Sequence, residues 1–425
     1  MAPAAARTVA RVAYVNLGCR VNRVEVDDIA ASLEALGVVA CAQDEADAIV
    51  INTCAVTGEA ETKTRKAIRH AAGLPGRPQV FATGCVVNLF ADEVASLAPN
   101  VTCVADKSRV ASEVAAFLGI AGSGAPAACD AVTPTGRTRP GIKVQDGCDN
   151  RCAYCIVWKA RGASRSVPPE AVLSSVREQL ARGAREVVLT GINLGRYEAR
   201  DASGHELGVC ELLELLLDRT EVGRIRLSSI EPQDVSDELL ALIGQSDGRV
   251  APFLHMPLQS GCDATLARMA RTYDAAFYLD RVAAARDLVG EGLSLGCDLI
   301  VGFPGETEEE FEATLALCES CAFTRMHVFR YSRRPGTPAA TMDGQVEPAV
   351  MTARAGLART LAARMRREQA AALVGRRELV TMEYPDQGVS GGLFDVRVFG
   401  ARPGELVPVD ITGASGDVLT GERAL

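Results

Sequence analysis

Residues 143–161 read KVQDGCDNRCAYCIVWKAR and place Cys148, Cys152 and Cys155 in a C-x3-C-x2-C spacing, in a loop after a short strand. Three thiolates this close can ligate three irons of a [4Fe–4S] cube and leave the fourth iron without a protein ligand. An open iron can bind a substrate or cofactor, so such a cluster does chemistry as well as carrying electrons. The blander alternative is three cysteines that merely share a loop; Gly147 ahead of the run and Tyr154 inside it argue against that.

Working outward, the segment from residue 139 to 367 alternates strands and helices. Strands are expected at 141–145, 186–190, 224–229, 253–258, 294–301 and 324–331. Ser166 with Pro168 and Glu170 marks one helix start, and Thr307 with Glu310 makes a capping box at another. Six βα units are too few for a closed eight-stranded barrel, so an open, partial (βα)6 barrel is expected, with its active site at the C-terminal strand ends. Those ends carry TGIN (190–193), SSIEP (228–232), HMPLQSG (255–261) and GFPGE (302–306). Glycine admits a ligand to the backbone, while Ser, Glu, His and Gln offer hydrogen bonds to amino, carboxylate and ribose groups. Tyr154, Gly191, Asn193, Ser229, Glu231, His255, Gln259 and Gly302 are therefore the candidate cofactor-binding residues. For His255 two readings stay open, a base or donor and a satisfied, partly buried histidine. GFPGE lacks the Lys-Ser/Thr ending of a phosphate-binding loop, which excludes a nucleotidase.

The N-terminal part has the same rhythm, with strands expected at 11–17, 48–52, 79–83 and 101–104 and helices at 23–36 and 57–72, hence a parallel α/β sheet. Cys19, Cys54 and Cys85 each follow one of the first three strands. Ligands gather at the carboxyl ends of strands in such a sheet, and neighbouring strands lie about 4.8 Å apart, so these thiols should converge on a second, auxiliary cluster. Cys41, Cys103 and Cys129 read as core cysteines, and Cys318 with Cys321 as packing residues.

The domains expected are residues 10–120, a Gly/Ala/Pro-rich linker at 121–138, the barrel at 139–368 and a small antiparallel β-barrel at 369–425, with strands at 378–383, 393–399 and 406–411. The run at 353–377 carries Arg354, Arg359, Arg364, Arg366, Arg367, Arg376 and Arg377, either a solvated helix face or a basic surface for phosphates. The 425 residues contain fourteen cysteines, which in a cytosolic chain point to metal or redox chemistry. A net charge of −9 argues against broad nucleic-acid binding. The start of the chain shows no signal-peptide core, and a soluble, cytoplasmic protein with no membrane partner is expected.

The C-x3-C-x2-C run is the signature of the radical S-adenosylmethionine (SAM) enzymes. The whole chain, from about residue 12 to 419, resembles the MiaB-like methylthiotransferases, which join an N-terminal cluster domain, a radical SAM barrel and a C-terminal TRAM domain. LGCRVN around Cys19, INTCAVT around Cys54 and KTRKAIR look most like the branch that modifies threonylcarbamoyladenosine in tRNA; HMPLQSG, DLIVGFPGETEEEF and YSRRPGTPA also follow the family pattern. Trp158 stands where the family usually has proline, Val86 and Val87 differ from its common residues, and the TRAM-like end is less basic than expected of an RNA binder.

The resemblance implies two [4Fe–4S] clusters and SAM. Cys148, Cys152 and Cys155 hold the SAM-binding cluster, whose reduction cleaves SAM to a hydrogen-abstracting 5′-deoxyadenosyl radical. Cys19, Cys54 and Cys85 hold the auxiliary cluster that presents sulfur, and a second SAM methylates it. No catalytic residue beyond these ligands is implied. The product is a 2-methylthio adenosine at position 37 of tRNA, so the partners are the tRNA anticodon loop, a flavodoxin- or ferredoxin-like electron donor and a sulfur donor that the sequence does not name. The flipped base would enter the barrel mouth, with the TRAM-like end and the arginine helix touching RNA. Alternatives are the same chemistry on isopentenyladenosine or on a ribosomal protein, or a non-catalytic iron–sulfur, RNA-binding redox sensor.

Overall fold

The computed structural model describes residues 9–120 and 137–424. They form two compact units. The first runs to Arg137 and takes in Ile156–Gly162; the second comprises Thr138–Cys155 and the chain from Ala163 onward. Most of the expected linker, and Cys129, lie outside the described residues.

In the first unit, strands β1 (Arg11–Asn16), β2 (Val39–Ala40), β3 (Ala48–Thr53), β4 (Gln79–Gly84) and β5 (Val101–Cys103) form a parallel sheet in the order β2-β1-β3-β4-β5. The sheet is apolar on both faces because helices cover both. Ile49 and Ile51 pack with Ile68 of α2 (Gly58–Ala72) and with Val86 and Val94 of α3 (Cys85–Ala95). Val50, one residue out of phase, packs on the opposite side with Ile29 and Leu33 of α1 (Arg20–Glu34) and with Val110 and Val114 of α4 (Val110–Phe117). The two-residue edge strand β2 carries too little periodicity to be legible in the sequence. Helix α5 (Val157–Arg161) brings Ile156 and Ala160 into this unit's core, and Asn88 Nδ2 donates to the Ala160 carbonyl at 2.8 Å.

The second unit holds the expected six parallel strands, β6 (Gly141–Lys143), β7 (Glu186–Thr190), β8 (Arg224–Leu227), β9 (Phe253–His255), β10 (Ser294–Val301) and β11 (Arg325–Arg330). They pair in the order β6-β7-β8 and β9-β10-β11, and parallel bridges Ile225–Val250 and Ser229–His255 join the halves. Outward-facing Val187, Leu189, Ile225, Leu295, Cys297 and Leu299 pack on the surrounding helices α6 (Pro169–Ala181), α7 (Val209–Arg219), α8 (Asp237–Gln245), α10 (Ala275–Val289), α11 (Glu308–Cys321) and α12 (Pro348–Ala372), with the short α9 (Asp263–Arg268) after β9. Cys318 and Cys321 are fully buried in this core, as packing residues should be. The Thr307 capping box forms as expected: the Glu310 amide donates to Thr307 Oγ1 at 3.3 Å and the Thr307 amide to Glu310 Oε2 at 3.2 Å.

The chain ends in a closed barrel, β12 (Arg377–Tyr384), β13 (Gln387–Ser390), β14 (Asp395–Val398), β15 (Leu406–Ser415) and β16 (Val418–Arg423), in the order β12-β13-β14-β16-β15. Four pairings are antiparallel and β14–β16 is parallel, which closes the ring. The expected boundary at residue 369 falls inside α12, and both barrels share one compact unit. No helix among the described residues is long and apolar enough to cross a membrane.

Candidate active site

Cys19 is the N-cap of α1, Cys54 follows β3, and Cys85 opens α3 directly after β4. The three thiols thus sit at the carboxyl ends of neighbouring strands. A polar lattice behind them holds the loops. Asn22 Nδ2 donates to the Thr53 carbonyl at 2.8 Å, Asn52 Nδ2 returns a bond to the Asn22 carbonyl at 2.9 Å, and the Cys19 thiol donates to Asn22 Oδ1 at 3.5 Å. Gly84 has φ +96°, and a Cβ there would meet Asn52 Oδ1 at 2.3 Å and the Thr53 carbonyl oxygen at 2.6 Å. The Gly and Asn residues beside the cysteines are therefore parts of one loop-holding network. Burial pushes the Cys54 thiol up to about 11; a backbone hydrogen bond from Val56 opposes this, neighbouring Cys85 and Cys19 add to it, and Arg161 opposes it. Two buried thiols, Cys54 and Cys85, with the exposed Cys19 beside them fit a site completed by a cation or an iron–sulfur cluster, which displaces their protons on binding.

Arg161 is the residue the sequence reading missed here. Its side chain is 3% exposed and donates to Glu25 Oε1 at 2.9 Å; Glu25, equally buried, also pairs with Lys107. Trp158, in the family's proline position, occupies the first turn of α5, where proline is tolerated but not required, so tryptophan keeps the helix. Val86 and Val87 are core residues whose amides donate to Thr53 Oγ1 at 3.1 and 3.4 Å. Cys41 and Cys103 are only partly buried, which corrects their reading as core cysteines: one follows the short edge strand β2 and the other ends the edge strand β5.

In the second unit, Cys152 is buried and Cys148 and Cys155 are partly so. Burial raises the Cys148 thiol, opposed by a hydrogen bond at the Asn150 backbone, while the neighbouring Cys152 raises it further. N–H donors point at the sulfurs, as an anionic cluster requires. Arg271 Nη1 lies 3.1 Å from Cys152 Sγ, and Asn193 Nδ2 lies 3.9 Å from Cys148 Sγ. Asn193 Oδ1 is buried without a partner among the described residues, an acceptor left for a ligand. The donor set and this acceptor suit a SAM-binding [4Fe–4S] cluster.

The other candidates divide. The Tyr154 hydroxyl accepts from Arg271 Nη1 at 3.4 Å, and Arg271 pairs with Glu231, so Tyr154 and Glu231 come together with Cys152. The Asn193 amide donates to Gln145 Oε1 at 2.8 Å, and Gly191 leaves room for that glutamine, since a Cβ would fall 2.9 Å from the same oxygen. Ser229 and His255 are bridged across β8 and β9. Gln259 has φ +65° and is held by its backbone, its amide to the Asp298 carbonyl at 2.8 Å. At Gly302, with φ +74°, a Cβ would fall 2.2 Å from Met351 Cγ, so this glycine serves helix packing. The residues missed were Arg271 and Gln145. Neither belongs to the strand-end motifs searched, although Gln145 lies just before the cysteine loop.

His255 resolves toward the satisfied reading. Its Nε2 lies 3.1 Å from Asp298 Oδ1, and His327 Nδ1 lies 3.0 Å from the same oxygen. The three could be taken for a metal site, their ligand atoms all lying within 4.8 Å of one another. Arg325 Nε also donates to His327 Nε2 at 3.3 Å, so each imidazole is already held by neighbouring side chains and the three form a hydrogen-bonded His–Asp–His row. The arginine run outlasts its helix: α12 ends at Ala372, so Arg376 and Arg377 lie beyond it. Arg354 pairs with Glu306 at 2.8 Å, Arg366 with Asp417 at 2.7 Å, Arg377 with Asp410 at 2.8 Å and Arg376 with Glu291 at 3.5 Å, and Arg364 pairs with Glu319. Most of the run is thus engaged with protein carboxylates.

Fold and cysteine sets define a radical SAM enzyme with a second triad of thiols on an α/β sheet. Residues 142–318 match the Radical SAM superfamily and residues 11–106 match Uncharacterized protein family UPF0004. The threonylcarbamoyladenosine tRNA methylthiotransferase MtaB of Thermotoga maritima is 33% identical over 96% of this chain and 95% of its own length. The Bacillus subtilis MtaB is 36% identical over 81% and 79%. The tRNA-2-methylthio-N(6)-dimethylallyladenosine synthase of Novosphingobium aromaticivorans is 33% identical over 96% of both chains. Among solved structures, the radical SAM methyltransferase TsrM from Kitasatospora setae, with cobalamin and a [4Fe–4S] cluster bound, superposes with a TM-score of 0.55 at 15% identity, covering 78% of this chain and 77% of that one, a likeness of fold. The chain belongs to the MiaB-like methylthiotransferase family of radical SAM enzymes, which use SAM and [4Fe–4S] clusters.

Proposed function

We propose that the chain is a tRNA methylthiotransferase that places a methylthio group on C2 of N6-threonylcarbamoyladenosine at position 37, beside the anticodon. One observation carries the reading: thiols at the ends of β1, β3 and β4 share a chain with a C-x3-C-x2-C loop, and that chain aligns along 96% of its length with an enzyme named for this nucleoside. The target is an aromatic C–H with neither an acidic proton nor a leaving group, so acid–base chemistry has no purchase on it. SAM bound to a reduced [4Fe–4S] cluster supplies the radical chemistry that such a bond requires.

The chain's own contribution is holding and orienting. Cys148, Cys152 and Cys155 would hold the SAM-binding cluster, and Cys19, Cys54 and Cys85 the auxiliary one. Asn193 Oδ1 offers an acceptor for the SAM amino group, and Tyr154, Gly191, Ser229, Glu231 and Gln259 shape the strand ends around it. Residues 10–120 would form the sulfur-presenting domain, 139–368 the radical-forming core and 369–425 an RNA-contacting barrel, with a flavodoxin- or ferredoxin-like protein as electron donor and the anticodon loop as the docked RNA.

Nucleoside mass spectrometry of tRNA from a deletion strain tests this. Loss of the 2-methylthio group from threonylcarbamoyladenosine, restored by the gene, is expected. Unchanged 2-methylthio-threonylcarbamoyladenosine would sink the assignment. Loss from dimethylallyladenosine instead would transfer it to the nucleoside for which the Novosphingobium relative is named.

A further inference from the structure

Arg271 lies in the turn between α9 and α10, outside every strand-end motif, yet its side chain is only 3% exposed. Its guanidinium makes four contacts. Nη1 reaches Cys152 Sγ at 3.1 Å and the Tyr154 hydroxyl at 3.4 Å, Nε reaches the Tyr273 hydroxyl at 3.2 Å, and Nη2 pairs with Glu231. The guanidinium carbon also lies 4.8 Å from the centre of the Tyr273 ring, and the Tyr273 hydroxyl donates to the Pro257 carbonyl at 2.7 Å. The arginine is thus fixed from three sides with one N–H aimed at a sulfur. Simple anchoring of the loop would need no buried charge, since a neutral donor can hold a sulfur.

We propose that Arg271 and Glu231 form a charge pair that sets the redox poise of the cluster on Cys148, Cys152 and Cys155, with Arg271 acting as a positioning residue through Cys152. This rests on the reading of those cysteines as ligands of one cluster. Reduction adds one negative charge to the cluster. A cation donating to a ligating sulfur favours that state, and a partly buried carboxylate beside the cation disfavours it. The two residues therefore have opposite signs. Loss of Arg271 makes the cluster harder to reduce, and loss of the Glu231 charge makes it easier.

The test is an anaerobic redox titration followed by electron paramagnetic resonance, with dithionite as reductant, on the full-length holoenzyme carrying Cys54→Ala so that a single cluster is observed. At a fixed poise, Arg271→Gln should lower the reduced-to-oxidised ratio at least about tenfold, a midpoint shift of about 59 mV for one electron. Arg271→Lys should recover most of that, and Glu231→Gln should shift the ratio the opposite way. Iron content, measured in parallel, should stay at about four per chain. Midpoints that do not move in loaded Arg271→Gln and Glu231→Gln proteins, or that move in the same direction, overturn the inference and leave the cluster assignment intact. If Arg271→Gln fails to load iron, the sign of the Glu231→Gln shift decides. A parent protein without a four-iron cluster overturns both.

Discussion

Loss of the Glu186 charge should carry a large stability penalty. Glu186 opens β7 and is fully buried. Its Oε2 accepts from Arg224 Nε at 2.9 Å and Nη2 at 2.6 Å, its Oε1 from Arg226 Nε at 2.8 Å, and the Thr381 hydroxyl also donates to it. The same arginines satisfy backbone carbonyls of the C-terminal barrel: Arg226 donates to Gly391 at 2.7 Å and Ser390 at 3.1 Å, and Arg224 to Val389 at 3.3 Å and to Leu379. One carboxylate thus compensates two guanidiniums that tie the small barrel to the large one. Glu186→Gln keeps the shape but removes the charge and turns an N–H2 toward guanidinium donors. Removing one partner of a buried ion pair costs about 3–5 kcal/mol, a large part of the 5–15 kcal/mol typical of a domain. Urea denaturation should show that loss, and limited proteolysis should open a new cleavage at residues 373–376, between α12 and β12. The pH dependence adds a signed check. Burial alone would raise the Glu186 pKa, but Arg224 and Arg226 overcome it and hold the group far below its ordinary 4.5. A depressed carboxylate stabilises the fold above the unfolded value and loses that contribution as pH falls below it. The gap between wild type and Glu186→Gln should therefore be full at neutral pH and narrow as the solution is acidified below about 4.5. A loss under about 1 kcal/mol with no new cleavage, or a gap that widens in acid, would refute the reasoning.

Three further outcomes are expected. Cys54→Ala should lower bound iron from about eight to about four per chain and keep 5′-deoxyadenosine formation from SAM while stopping sulfur insertion; loss of SAM cleavage as well would refute its assigned role. Gly84→Ala forces a side chain to φ +96° against Asn52 and Thr53. It should cost about 1–3 kcal/mol and reduce auxiliary-cluster loading, read as iron content and as absorbance of the anaerobic protein; full loading would show that the loop can shift. Burial, opposed by Arg224, raises the Glu378 carboxyl to about 7 from its ordinary 4.5. The folded state keeps this proton while the unfolded state releases it, so wild-type stability falls as pH rises across that window. Glu378→Gln should match wild type below about pH 4.5 and exceed it above about pH 7, and a pH-independent difference in urea midpoints would contradict this.

The sequence made the fold legible where periodicity was long and punctuated. All six strands of the partial barrel and four of the five strands of the N-terminal sheet lie where the alternation of strand and helix segments placed them. The C-terminal barrel was only half legible. Its β13, Gln387–Ser390, is four residues with two polar ends, and β16, Val418–Arg423, ends in GER, so neither alternates long enough to register. Both exist because ring closure supplies the hydrogen bonds that their own propensity does not. The insertion of Ile156–Gly162 into the first unit was also hidden, because α5 is one turn long and its partners, Asn22, Glu25 and Asn88, lie far away in sequence.

The site was legible for its cysteines and illegible for its charges, and one physical reason covers both. A thiolate ligand must be a cysteine, so spacing and position after a strand reveal it. A charge that serves a ligand can come from any element that passes close enough, and its residue type is also common on surfaces. The arginines show this clearly. Those of α12, concentrated and exposed by periodicity, are mostly neutralised by protein carboxylates such as Glu306, Glu319 and Asp417. Arg161 and Arg271, single and unremarked in their segments, are buried to 3% exposure beside Asn22 and Cys152 respectively. A guanidinium is kept buried only where paired negative charge repays its desolvation. Glu25 does so for Arg161, and Glu231 for Arg271. Each cysteine triad therefore has its own Arg–Glu pair at hand, the arginine buried in both. In both units, then, the buried cation is held near the cysteines by a carboxylate from another segment of the chain, which no local sequence pattern records.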